Sequence, residues 1–242
     1  MSVTEILDQL TKIVGDRHVV AGPDVHADYT HDEALTGSPV VPLALVQPGS
    51  TAEVADVLRL ASEHRVPVVA RGSGTGLSGA CRPVADGILL AFDRMKAIRE
   101  IDTENMVAVV EPGVTLEQLN AALLPHGLTY PVSPGEMSGS LGGNVATNAG
   151  GMRAVRYGVT RTQVLGLEAA LATGEVIRTG GKLVKASTGY DLTQLIIGSE
   201  GTLAVVTAAR IQLVPRAADP VTVIIGLDGS GEVHALARDA LR

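Results

Sequence analysis

A glycine-rich loop contains the residues whose types and spacing first suggest a binding site. It runs Arg71-Gly72-Ser73-Gly74-Thr75-Gly76-Leu77-Ser78-Gly79 and directly follows an apolar run at 66–70, which predicts a strand. Glycines let successive backbone N–H groups converge without side-chain clashes, and such a concave surface binds phosphate. The loop lacks the Gly-Lys-Ser/Thr of a Walker loop, and no helix pattern or following acidic residue supports a dinucleotide fingerprint. Taken alone, it fits either a phosphate site or a glycine-rich surface turn.

Two later segments could complete such a site. Residues 133–151 are rich in glycine and poor in large side chains, so a bulky flat ligand could approach their backbone. Tight helix packing also selects glycine and is the alternative there. Residues 198–207 predict a turn that leads into a strand, where backbone N–H and C=O groups can contact the edge of a ligand. A plain β-turn would have the same sequence features.

Composition excludes several classes of function. The chain has 242 residues, 45% hydrophobic and 2% aromatic, with a net charge of −7 and scattered basic residues, which argues against a nucleic-acid partner. Its single cysteine, Cys81, cannot form an internal disulfide, and its six histidines lack the spacing of a metal site. The first ten residues do not resemble a secretory signal, and no apolar stretch reaches the ~20 residues that span a bilayer. We therefore expect a cytoplasmic protein without a membrane span, with peripheral membrane contact left open.

Hydrophobic periodicity outlines an α+β fold. It predicts helices at 3–14, from Ser50 and Thr51 onwards, and from Thr115 through Leu124 with Gly127 as the C′ residue, as well as strands at 40–46, 66–70 and 87–92. Pro42 indicates that the first of these strands lies at a sheet edge. Hairpins are predicted at 98–102 with 106–111 and at 164–171 with 175–179, followed by a long strand at 203–214. This order indicates a mixed sheet and not the strict alternation of a doubly wound fold. A further strand at 221–227 and a helix from 231 would begin another domain.

Five segments, at 68–79, 135–151, 156–160, 189–192 and 198–207, occur in the same order in one known family. The sequence resembles flavoproteins with the vanillyl-alcohol oxidase (p-cresol methylhydroxylase) type of FAD-binding domain, and especially the branch of D-lactate dehydrogenase and the FAD subunit of glycolate oxidase. The resemblance implies an α+β, two-subdomain FAD-binding domain with mixed sheets at 1–218. Its subdomains would span about 1–105 and 106–218, and residues 219–242 would start a truncated C-terminal substrate domain.

The resemblance also assigns cofactor contacts residue by residue. FAD is expected to bind without a covalent link, because the pyrophosphate loop contains neither histidine nor cysteine; Cys81 lies just beyond it and is taken as a bystander. The family usually has glycine where this chain has Ala204. Val206 is the expected backbone partner of the adenine. The implied contacts are Arg71, Gly72, Ser73, Gly74, Thr75, Gly76 and Leu77 at the pyrophosphate; Pro134, Gly135, Glu136, Met137, Ser138, Ser140, Gly142 and Gly143 beside the flavin and ribityl chain; Thr147, Asn148, Ala149 and Gly150 in a further stretch; and Glu200, Gly201, Thr202, Leu203, Val205 and Val206 at the adenine side.

For activity, the resemblance implies oxidation of a 2-hydroxy acid of the D-lactate or glycolate type by hydride transfer to FAD. In that branch the substrate-binding groups, including a histidine-rich metal motif, lie in the C-terminal domain, and no such motif occurs here. No catalytic residue is therefore assigned, and the isolated chain is expected to lack the catalytic groups. Three hypotheses stay open: the FAD half of a dehydrogenase, a subunit whose substrate domain another polypeptide supplies, and a non-catalytic FAD-binding module.

Overall fold

Two β-sheets with their covering helices organise the chain. The computed structural model describes residues 2–183, 185, 187–217, 222–227 and 229–240. The first sheet has the strand order β1-β2-β4-β3 and the second β5-β6-β10-β8-β9, and β7 pairs with β11 in a two-stranded ribbon. The strands are β1 (Val19–Ala21), β2 (Ala44–Val46), β3 (Val68–Arg71), β4 (Ile88–Ala91), β5 (Ile98–Asp102), β6 (Val107–Val110), β7 (Leu128–Thr129), β8 (Val164–Ala170), β9 (Val176–Gly180), β10 (Val205–Gln212) and β11 (Val214–Pro215). The helices are α1 (Val3–Val14), α2 (Thr51–His64), α3 (Leu116–Leu123), α4 (Leu141–Thr147), α5 (Ala154–Tyr157), α6 (Thr160–Gln163), α7 (Leu192–Ile196) and α8 (Ser230–Ala240).

The first sheet forms around strands that the sequence marks as apolar. Strands β2, β4 and β3 run parallel to one another, and β1 is antiparallel to β2. Helix α1 begins at a capping box between Ser2 and Glu5 and buries Ile6, Leu10 and Val14 in the same hydrophobic cluster as α2 and the sheet. The Pro42-based edge prediction is wrong: β2 lies inside the sheet, between β1 and β4. Pro42 precedes the strand, so its missing N–H does not interrupt the ladder.

The second sheet is antiparallel throughout. Both predicted hairpins are confirmed as β5–β6 and β8–β9, and short turns of this kind permit only antiparallel pairing. The expected mixed pairing therefore applies to the first sheet alone. Pairing between β10 and β8 shifts register between Val206 and Ala208, so Thr207 is an extra residue, a β-bulge.

The ends of the helices that follow β6 are set by local sequence. Helix α3 starts at a capping box formed by Thr115 and Gln118, and the turn that follows it ends at Gly127 in the left-handed conformation, as predicted. Asp191 caps α7 by accepting a hydrogen bond from the Gln194 backbone N–H. Helix α4 was not foreseen, because two consecutive glycines near its start disfavour helix.

A buried carboxylate joins the helical layer of the first sheet to the second sheet. The side chain of Glu168, in β8, accepts hydrogen bonds from Thr51 at the start of α2 (2.8 Å) and from Arg99 in β5 (3.1 Å). Arg178 in β9 contacts its other oxygen at 2.8 Å, and Thr207 approaches at 3.4 Å. Burial alone would raise the pKa of Glu168, but the hydrogen bonds from Thr51, Arg99 and Arg178 outweigh it and lower the pKa to about 2. We call these five residues the Glu168 cluster.

Of the two elements predicted near the C-terminus, the strand is wrong and the helix is confirmed. Residues 222–227 form no strand, so the strand predicted at 221–227 is wrong over that range, and residue 221 lies outside the described residues. A strand requires a neighbour for its backbone hydrogen bonds, and none of the described strands pairs with 222–227. The predicted helix is observed as α8, through Ala240. The boundary at 218–219 also lies outside the described residues, and the subdomain division near 105 stays a prediction; sheet membership changes between β4 and β5.

Among the described residues, no helix is both long and apolar enough to span a bilayer.

Candidate cofactor site

The three glycine-bearing segments line one cleft of about 440 Å³. This volume lies within the range of about 300–1,000 Å³ that is usual for small-molecule sites. The predicted residues on its wall are Gly72, Ser73, Gly74, Thr75, Gly76 and Leu77 from the first segment, Pro134, Glu136, Ser140, Gly143, Thr147 and Ala149 from the second, and Glu200 and Gly201 from the third. Segments more than a hundred residues apart in the chain therefore present their backbone to the same space.

Reciprocal serine contacts hold the first segment against the second. The backbone N–H of Ser140 donates to Ser73 Oγ at 2.9 Å, and the backbone N–H of Ser73 donates to Ser140 Oγ at 3.3 Å. Ser140 also caps α4 through the N–H of Gly143. A Cβ on Gly72 would lie 1.9 Å from Ser140 Oγ, so only glycine permits this close approach. The glycine loop, which leaves β3, is thereby fixed to the start of α4.

Two further cavities adjoin the cleft. One, of about 500 Å³, lies along β3 and the end of α2, and shares Ala70, Ala80, Glu200 and Gly201 with the cleft. From the predicted set it adds Thr202, Leu203 and Val205. A smaller cavity of about 50 Å³ adds Arg71, Gly142 and Val206. Because both cavities share wall residues with the cleft, a ligand longer than the cleft could extend from it into either one.

Some predicted residues line none of these three cavities. These residues are Gly135, Met137, Ser138, Asn148 and Gly150. Asn148 has a clear structural role, because it ends α4 in the left-handed conformation and its Oδ1 accepts the Arg161 N–H at 2.9 Å. The Met137 side chain packs on the second hydrophobic core. Their contacts with a cofactor stay predictions.

Several cleft residues lie outside the predicted set. They are Asp32, Ala70, Ser78, Ala80, Gly139, Asn144 and Ala146, together with Cys81, which was expected to be a bystander. Asp32 is 6% exposed and accepts the Ala34 N–H at 3.3 Å, while the Cys81 thiol lies 3.9 Å from its other oxygen. Burial raises the pKa of the Cys81 thiol, and nearby Asp32 adds to this while Arg71 opposes it. No local pattern marks Asp32 as a site residue, because only the tertiary fold brings it beside the loop.

The charges on the cleft wall are negative. Asp32, Glu136 and Glu200 line it, and no lysine or arginine does. Hydrogen bonds from the backbone and side chain of Ser138 lower the pKa of Glu136, which is exposed. The donors that the wall offers to a phosphate are therefore neutral: backbone N–H groups of the glycine loop and hydroxyls such as those of Ser73 and Thr75.

Ser199 supplies an observation that favours a ligand at this site. Its hydroxyl oxygen is buried, lines the smallest cavity and has no hydrogen-bond partner among the described residues. An unpaired buried hydroxyl costs about 1–3 kcal/mol, so a polar group that enters the cavity would remove that cost. Glycine backbone, two adjoining cavities and an unpaired hydroxyl fit a long, flat cofactor with a diphosphate.

The fold has clear counterparts among solved structures. Alkyldihydroxyacetonephosphate synthase superimposes with a TM-score of 0.77 at 22% identity, over 89% of this chain and 41% of that one. At this level of identity the likeness establishes the fold alone, which is the α+β FAD-binding fold of the p-cresol methylhydroxylase type.

Sequence comparison then identifies the family. Residues 42–180 match the family model described as FAD binding domain, and the chain belongs to this family, with FAD as its cofactor. Its relatives include an uncharacterised FAD-linked oxidoreductase of Mycobacterium tuberculosis, 58% identical over 88% of this chain and 47% of the relative. Glycolate oxidase subunit GlcD of Bacillus subtilis is 44% identical over 89% of this chain and 46% of the relative. D-lactate dehydrogenase of Archaeoglobus fulgidus is 45% identical over 88% of this chain and 47% of the relative. The chain spans about half the length of these relatives.

Proposed function

We propose that this chain is the FAD-binding part of a flavoprotein oxidoreductase that oxidises a 2-hydroxy acid of the D-lactate or glycolate type. Support for the substrate class comes from relatives at 44% and 45% identity whose names are glycolate oxidase subunit and D-lactate dehydrogenase. When bound, FAD supplies the acceptor for the hydride equivalent. The protein binds, orients and shields that cofactor.

One observation carries the cofactor arrangement: three separated segments line one cleft with backbone. The loop at 72–77 holds the diphosphate through its N–H groups. The segment around Pro134, Ser140 and Thr147 lies beside the flavin and ribityl chain. The turn at 200–205 borders the adjoining cavity of about 500 Å³, and in this proposal it takes the adenine end. Its apolar wall, which includes Leu58, suits a flat aromatic base.

FAD is held without a covalent bond. The loop offers no nucleophilic side chain of the cysteine or histidine type, and burial raises the pKa of the nearby Cys81 thiol, which disfavours the nucleophilic thiolate. Acid precipitation should therefore release all of the flavin into the supernatant. Flavin that stays with the precipitated protein would contradict this arrangement.

Substrate binding depends on groups outside the cleft. Recognition of a carboxylate needs an arginine or lysine, and oxidation of the alcohol needs a base, whereas the cleft wall carries carboxylates and no arginine or lysine. We therefore propose that another domain or a partner subunit contributes these groups. A second candidate, an FAD-binding subunit or inactive module that needs another polypeptide, is favoured by one relative's name, glycolate oxidase subunit.

The test begins with cofactor and proceeds to turnover. Titration of the purified chain with FAD should shift the flavin absorbance bands and quench flavin fluorescence at a ratio of one FAD per chain. Dye reduction with D-lactate, L-lactate and glycolate should be negligible with the chain alone. Turnover that appears only when a partner polypeptide is added favours the second candidate, whereas absence of FAD binding would contradict both.

A further inference from the structure

The side chain of Arg71 packs against the glycine loop; the residue is absent from the wall of the 440 Å³ cleft and borders the adjoining cavity of about 50 Å³. It is 6% exposed. Its Nη1 donates to the backbone carbonyl of His31 at 2.6 Å, and its Nη2 donates to the carbonyl of Asp28 at 2.6 Å. The guanidinium also lies over the Tyr29 ring, 5.5 Å from its centre. Three contacts thus tie the first residue of the loop region to the segment 28–31.

This segment is anchored in turn to the first sheet. The Tyr29 hydroxyl donates to Asp93 Oδ2 at 3.0 Å, and the Gln47 side chain donates to the same oxygen at 3.2 Å. Gln47 directly follows β2, and Asp93 lies two residues beyond the end of β4. Arg71 therefore connects the loop to a support that extends across two neighbouring strands.

The guanidinium also packs against the loop itself. A Cβ on Gly74 would lie 2.0 Å from Arg71 Nη2, so the guanidinium directly underlies the loop backbone where Gly74 has a φ of +79°. Two residues on, the carbonyl of Gly76 accepts the N–H of Glu33 at 3.0 Å. The segment 28–33 and Arg71 together fix the back of the loop, which leaves its front for a ligand.

We infer that Arg71 is a positioning residue for the cofactor: it clamps the glycine loop onto residues 28–33 and presents the loop's N–H groups, without contacting phosphate through its guanidinium. This inference rests on the proposed place of the diphosphate at the loop. The planar fork of arginine suits two carbonyls at once, whereas a lysine ammonium on its flexible stem cannot reproduce that pair of contacts.

The clamp can be tested in the FAD-free chain. Hydrogen exchange of backbone amides at 28–34 and 72–79 should become at least about tenfold faster in Arg71→Met than in the wild type, because local opening becomes easier. The matched control is Arg59→Met, since Arg59 also donates to a carbonyl, that of Gly174, but lies on α2. Unchanged exchange at both segments in Arg71→Met would overturn the clamp.

FAD titration separates positioning from direct charge contact. Arg71→Lys keeps the positive charge but loses the fork, so it should raise the Kd for FAD nearly as much as Arg71→Met does, by about tenfold or more. Retention of wild-type affinity by Arg71→Lys, together with a large loss in Arg71→Met, would identify a direct electrostatic contact and overturn the inference.

A milder variant keeps the test decisive if the Arg71 variants do not fold. Tyr29→Phe preserves the ring under the guanidinium and removes only the hydrogen bond to Asp93. It should accelerate exchange at 28–34 and raise the Kd for FAD in the same direction by a smaller factor; no change in either quantity would contradict the anchored clamp. If the wild type does not bind FAD, the proposed function fails, while the exchange measurements still report on the clamp.

Discussion

The Glu168 cluster and the cofactor cleft are opposite solutions to the placement of polar groups. In the cluster, side chains contact one buried carboxylate with hydrogen bonds and ion pairs. In the cleft, small side chains leave the backbone accessible, and in the smallest adjoining cavity the buried hydroxyl of Ser199 has no partner among the described residues. The carboxylate of the cluster is satisfied by the protein itself, whereas the groups around the cleft stay open to a ligand.

The largest effect is expected from a substitution that prevents the glycine loop from packing against the start of α4. Gly72→Ala would place a methyl group 1.9 Å from Ser140 Oγ, forcing the loop away from α4. We expect the Kd for FAD to rise at least about a hundredfold, near 3 kcal/mol, as measured by fluorescence titration. Gly181→Ala is the control, because a Cβ there meets nothing within 4 Å. Unaltered FAD affinity in Gly72→Ala would show that the loop does not form the site.

The Glu168 cluster should respond in stability and not in binding. Glu168→Gln removes the charge that Arg99 and Arg178 contact at 3.1 and 2.8 Å. The free energy of unfolding should fall by about 2 kcal/mol in urea titrations, with the Kd for FAD changed less than about threefold. The exposed Glu63 provides the matched control as Glu63→Gln. A large loss of FAD affinity with unchanged stability would reverse the contrast between the two regions.

Acid should remove the contribution of Glu168 progressively. Its pKa is about 2 in the folded chain, against an ordinary value of 4.5 that the unfolded chain retains. Between these values the unfolded chain binds more protons, so stability contributed by this carboxylate is complete above about pH 4.5 and declines as pH falls toward 2. The stability difference between wild type and Glu168→Gln should therefore shrink from pH 5 to pH 3. A difference independent of pH would rule out this linkage.

The smallest effect is expected for Ser199→Ala, which should stabilise the FAD-free chain but weaken its binding of FAD. Ser199→Ala deletes the unpaired buried hydroxyl, so the FAD-free chain should gain about 0.5–1 kcal/mol in unfolding free energy. If the hydroxyl donates to the cofactor, the Kd for FAD should rise about threefold to tenfold. Paired denaturation and binding measurements check both signs. Loss of stability without FAD would mean that the hydroxyl has an internal partner.

Local patterns predicted the elements whose determinants lie within a few residues. Helix α1 follows from its apolar periodicity, α3 from the cap at Thr115 and both hairpins from their short turns, and all of these act through neighbours in the chain. The three ligand segments were visible for the same reason, since each is a run of glycines and small residues. The resemblance then connected them to one cofactor.

Features that depend on distant contacts were not predictable in this way. The helix α4 forms despite two glycines, and Asp32 enters the cleft only because the segment around it packs beneath the glycine loop. Arg71 illustrates the same limit: its place in the loop is evident, but the carbonyls of Asp28 and His31 decide where its guanidinium goes. Such outcomes are set by tertiary packing and not by propensity.

The extra residue at Thr207 changes how side chains alternate along β10 without breaking its pairing with β8. Val206 pairs with Ala169 and Ala208 with Glu168, and because Ala169 and Glu168 are consecutive they point to opposite faces of the sheet. Val206 and Ala208 therefore also face opposite sides, although residues two apart in a regular strand share one face. Deletion of Thr207 would leave both of these orientations unchanged and would remove only the hydroxyl that approaches Glu168. The bulge thus inserts a polar side chain into the strand without changing the face from which either neighbour packs.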